Sequence, residues 1–157
     1  MEHHFMAGQT PSERQRFFAE LAALNAVSAR FGLTLSAQGM EEIRLSRMHA
    51  LLNHGRIELG SSAVPAIVDG FCDSPFLLQE EYEATLMELV DAFYYFKNAC
   101  AEQLTDDELI QAMRERYDAY DGSIEAVTGT TLEALCRARR LGEAYDDGRL
   151  EEEYDDD

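Results

Sequence analysis

The chain has 157 residues, 46% of them hydrophobic, and a formal net charge of −18. That length and apolar content suffice for one domain with its own core, without disulfide or metal staples. The charge disfavours direct contact with nucleic acid or an anionic membrane surface, and leaves basic partners, cations or mimicry of a nucleic-acid backbone.

Met1 to Gln9 has no hydrophobic period and no apolar run of the signal-peptide kind, and reads as a loose leader. His3 and His4 are adjacent, but two histidines make no metal site without further ligands. Thr10-Pro11-Ser12-Glu13 is a helix start, with Thr as cap, Pro in the first turn and Glu closing a capping box. Phe17, Leu21, Leu24, Val27 and Phe31 follow at helical spacing and Gly32 stops them, predicting a helix over 11–31.

Leu33-Thr34-Leu35 reads as an extended link into a cap at Ser36. Met40, Ile43, Arg47 and Leu51 then mark one side of a helix over 37–54, broadened by Met48 and Leu52 and ended by Gly55. Five-residue spacing turns His49 and His54 away from each other, so both read as partly exposed polar side chains. Arg56 to Leu59 alternates between two glycines and predicts one short strand, paired with Leu33–Leu35. Ser61 or Ser62 caps a short helix over 63–71, with Pro65 in its first turn.

Cys72-Asp73-Ser74-Pro75 is the sharpest turn in the chain. A nucleophile there would need a base, and no histidine is near in sequence, so helix stop and cap explain these residues. The central element is Glu80 to Gln103. Tyr82, Leu86, Leu89, Phe93, Phe96 and Cys100 form one seam, widened by Val90 and Tyr94, against an outer face of Ala84, Glu88, Asp91 and Glu102. The apolar arc is wide enough for more than one neighbouring helix. Lys97, the only lysine, falls inside it. Its expected state is a stem on apolar surface with the ammonium reaching water, the alternative being a buried ammonium paired with a carboxylate.

Thr105 and Glu108 form a second capping box opening a helix over 106–118, where Asp106 and Asp107 suit the positive helix start better than a metal pair. Asp121-Gly122 turns the chain and Ser123 caps a last helix to about Leu141, a break near Gly129 being the alternative. Arg137, Arg139 and Arg140 occupy its last turn, where cations are favourable. Gly142 to Asp157 carries nine acids against the single base Arg149, a composition expected to be disordered; −8 of the charge sits there and −10 remains over 1–141.

Phe71-Cys72-Asp73-Ser74-Pro75-Phe76, Phe93-Tyr94-Tyr95-Phe96-Lys97-Asn98 and Leu104-Thr105-Asp106-Asp107-Glu108-Leu109-Ile110 occur in that order. Together they resemble a family of small acidic bacterial helical proteins catalogued only as a domain of unknown function. The resemblance covers about Ala22 to Arg140. It implies a bacterial origin and carries no reaction, cofactor or catalytic residue.

There is no P-loop, G-x-G-x-x-G, H-E-x-x-H or EF-hand loop, and no Glu-x-x-His pair for a di-metal centre. Cys72, Cys100 and Cys136 lack metal-ligand spacing and read as buried thiols in a reducing compartment. No apolar run of 18 residues exists to span a bilayer. The expected protein is cytoplasmic and all-α, a single-domain bundle of five or six helices over 10–141 around the 80–103 helix, with at most a two-stranded scrap of sheet. Its expected function is a non-catalytic protein–protein interaction module whose partner is another protein or a second copy, with no cofactor, metal, nucleic acid or membrane. An acidic decoy imitating nucleic acid is the alternative, and an enzyme of unrecognised type working from the Cys72 turn is a third. Tyr95, on the outer face with Asp91 and Glu102, is the candidate contact residue, since tyrosine on a rigid helix gives large contact area at low entropy cost.

Overall fold

Every long helix but the first packs against one stretch of chain, Tyr82–Ala99 (α4), entered through a 3-10 turn at Gln79–Glu81. This is a computed structural model, and it describes residues 11–142; the leader, the Thr10 cap and the tail after Gly142 lie outside the described residues. The remaining helices are α1 (Pro11–Ser28), α2 (Ala37–Asn53), α3 (Val64–Phe71), α5 (Asp106–Ala119), the single turn α6 (Ile124–Val127) and α7 (Thr130–Arg140). The architecture is all-α.

The seam on α4 is the core. Tyr82, Leu86, Leu89, Phe93, Phe96 and Cys100 are all at most 1% exposed, and Val90 and Tyr94 are buried beside them. The arc meets α2, α3, α5, α6 and α7, as its width requires, while α1 lies one layer out against α3. Gly39 has a specific use here. Its missing Cβ lets the Glu83 carboxylate sit over the start of α2, accepting from Ser36 N at 3.2 Å and Ser36 Oγ at 3.0 Å. An anion on a helix N-terminus ties α4 to α2.

The predicted strand does not form. The backbone groups it would have paired are claimed by side-chain amides instead. Asn25 donates to Leu35 O and accepts from Leu35 N, and Gln79 does the same at Thr34. Glu58, in the extended segment after Gly55, turns inward and accepts from Arg47 Nε at 2.7 Å, Tyr94 OH at 2.7 Å and Ala63 N at 3.1 Å. That inward turn leaves Ile57 and Leu59 facing out, 75% and 86% exposed. Burial and the Glu58 carboxylate together hold the Tyr94 proton far above the usual phenol range.

Three further departures have local causes. Phe31 and Leu52 are about half exposed, because they sit at helix ends that overrun the core. The last helix breaks: Ser123 caps one turn, Gly129 is extended at φ −84°, ψ −169°, and α7 starts afresh at Thr130. Lys97 is buried rather than water-exposed, its Nζ 2.8 Å from Leu104 O and 2.9 Å from Asp106 Oδ1. The ammonium crosses the turn between α4 and α5, where Ala101 and Glu102 hold the left-handed conformation at φ 52° and 65°. Glu102 N bonds back to Lys97 O, closing that turn.

Candidate functional site

Tyr95 stands on the outer face of α4 and is 42% exposed. Its ring meets Phe96 edge-on at 5.0 Å and His54, from the end of α2, at 5.9 Å. Its hydroxyl donates to Glu133 Oε2 on α7 at 3.1 Å, which raises the phenol above its ordinary value. The Tyr95–Glu133 bridge separates two clefts.

On one side is a cleft of about 560 Å3 with an apolar floor. Ala92 and Phe96 are buried at its base, Met87 and Ile124 form its walls, and Glu88, Asp91 and Glu133 stand around it. On the other side is a polar cleft of about 510 Å3 reached by Asn53, His54, Asn98, Arg137 and Arg140. His54 Nε2 lies 3.4 Å from Asp91 Oδ1, and Asn98 Nδ2 donates to His54 O at 2.7 Å, so the end of α2 is fixed against α4. Both volumes fall in the range of ligand sites, and both are open to solvent.

Tyr95 and Asp91 therefore share one surface. Glu102 does not line either cleft; its carboxylate pairs with Arg56 and lies 3.7 Å from Lys97 Nζ. His54, Ile124, Glu133, Arg137 and Arg140 complete the surface, and none was assigned to it from sequence. The helical phase of 124–141 was the available signal, but only the break at Gly129 shows which residues of α6 and α7 face Tyr95.

The Cys72 turn is built as structure. Ser74 Oγ donates to Asp118 Oδ1 at 2.8 Å, Asp73 pairs with Arg114 at 2.6 Å, and Arg114 also donates to Gly70 O. Burial, with Asp69 and Asp73 adding to it, raises the Cys72 thiol, the opposite of what a nucleophile needs. Among the described residues no three His, Cys, Asp or Glu side chains gather into a metal-sized group. None of the described helices is long and apolar enough to cross a membrane.

The fold and surface define an all-α domain with a paired cleft on its central helix. The chain belongs to the family of unknown function DUF6323, which it matches over residues 20–145. No curated protein and no solved structure matches the chain.

Proposed function

We propose that this protein is a cytoplasmic, non-catalytic interaction module that takes an apolar side chain of a basic polypeptide segment into the cleft beside Tyr95. The apolar cleft carries the reading: a floor of Ala92 and Phe96 between Met87 and Ile124, ringed by the carboxylates of Glu88, Asp91 and Glu133. An apolar residue would fill the floor while flanking Lys or Arg met the rim. Tyr95 supplies a half-exposed aromatic edge held by Phe96 and Glu133, so little entropy is lost when it is covered. A second copy is a poorer occupant, because two chains of −18 repel.

Selection from a random peptide library on the immobilised full chain tests this. The enriched motif should hold one bulky apolar residue flanked by Lys or Arg, and Ile124→Glu should abolish the enrichment. Acidic or unenriched peptides, or a motif retained by Ile124→Glu, would refute the reading. Steep loss of binding with salt and no need for the apolar residue would point instead to the nucleic-acid decoy.

A further inference from the structure

We propose that the polar cleft on the other side of Tyr95 binds a phosphate-bearing small molecule, its dianionic group received by Arg137 and Arg140. The chain has 31 acids to 13 bases, so carboxylates are in excess wherever a cation could pair. Arg14, Arg44, Arg47, Arg56, Lys97 and Arg114 are all ion-paired. Among the described residues Arg137 and Arg140 carry no ion pair, although Glu133 stands one turn away on the same helix. That carboxylate accepts from Tyr95 instead, leaving both guanidinium groups to the cleft.

The two arginines lie three residues apart on the last turn of α7, on one side of the helix, and both reach the same cleft. Asn53 and His54 line its opposite side from α2, and Tyr95 closes one wall. A guanidinium fork suits an oxyanion in two-point contact, and two forks suit a double charge better than a single one. At about 510 Å3 the cleft exceeds a single phosphate group, so it has room for the body of a small phosphate ester. The net negative charge of the protein opposes an anion only at long range. Within a Debye length of about 10 Å at 0.1 M salt, Arg137 and Arg140 face one lining carboxylate, Glu133, whose Oε2 already accepts the Tyr95 hydroxyl. Arg137 and Arg140 line the polar cleft and not the apolar one, which shares with it only Tyr95 and Glu133.

The test is titration of the full-length, nitrogen-15-labelled protein with inorganic phosphate at constant ionic strength, followed by amide and guanidinium resonances. Saturable shifts should centre on the cleft, in the range of about 1 mM or tighter. Acetate and chloride should bind at least about tenfold more weakly, since each offers one charge where the cleft presents two cations. Arg137→Gln/Arg140→Gln should weaken phosphate binding at least about tenfold with an unchanged circular dichroism spectrum, because both side chains are exposed and glutamine is a good helix former. Arg30→Gln, which removes a cation lining neither cleft, and Ile124→Glu, in the apolar cleft, should leave it unaltered. Equal response to acetate and phosphate, or binding that survives the double substitution, overturns the proposal. So does a cleft indifferent to phosphate that responds to neutralising the carboxylates of 143–157, since its occupant would then be the chain's own tail.

Discussion

Replacing Glu58 by glutamine keeps the shape of the side chain and removes its charge. Two of its three donors, Arg47 Nε and Tyr94 OH, sit at 2.7 Å, and the Arg47 side chain is only 2% exposed. The guanidinium would be left buried without its counter-charge, and the glutamine amide would present N–H to the N–H of Ala63 or lose one of the other two bonds. Removing one partner of a buried ion pair costs about 3–5 kcal/mol. Glu58 retains 14% exposure, so water moderates the loss to about 2–4 kcal/mol. In a domain of this size that lowers the melting temperature by about 10 °C. Urea unfolding by circular dichroism measures it, as a shift of midpoint with unchanged slope. Adding Arg47→Met should recover at least about 1 kcal/mol of the loss, because the stranded charge is then gone. A Glu58→Gln protein within about 0.5 kcal/mol of the parent would show that this network does not hold the 56–59 segment.

Phe93, 1% exposed in the seam of α4, should cost about 3–5 kcal/mol as alanine, and a loss below about 1 kcal/mol in thermal melts would displace α4 from the core. Lys97→Met strands the buried Leu104 carbonyl, while half-exposed Asp106 adds little, giving a loss of about 1–3 kcal/mol; near-neutral stability would mean that water already satisfies that carbonyl. Cys100 and Cys136 interact between α4 and α7: a hydrogen bond from Cys136 lowers the Cys100 thiol from 9.0 to about 6, and the same bond raises Cys136. Between pH 6 and 9 the unfolded chain keeps a proton that folded Cys100 has released, so stability should rise with pH; above 9 folded Cys136 keeps a proton the unfolded chain loses, and stability should fall. The difference between parent and Cys100→Ala across that range reads the effect directly, and a flat difference contradicts it.

The core was legible because α4 spells it at one spacing: a residue every three or four positions from Tyr82 to Cys100 is apolar, and all are buried. The caps at Ser36 and Thr105 were legible for a similar reason, since the bonding side chain lies three residues from its donor. What sequence could not show depends on groups far apart in the chain. Alternation over 56–59 resembles a strand, but Arg47 and Tyr94 draw Glu58 inward, and Asn25 and Gln79 occupy the backbone of the would-be partner. The surface around Tyr95 was half legible. Its own helix placed Tyr95 and Asp91 together, whereas His54, Ile124, Glu133 and the two arginines reach it from α2, α6 and α7. Glu102 shares the helical phase of Asp91 but lies past the end of α4, where φ of 65° redirects it to Arg56.

The claim that the Tyr95 surface binds a partner is tested most directly by calorimetric titration of the selected apolar-basic peptide against the parent and Tyr95→Ala. Tyr95 is 42% exposed and its hydroxyl bond is at the surface, so the substituted protein should remain folded, with a melting temperature within a few degrees of the parent. Its affinity should fall at least about fivefold, which corresponds to about 1 kcal/mol. Equal affinity for the two proteins would contradict the account, and so would a Tyr95→Ala chain that no longer folds.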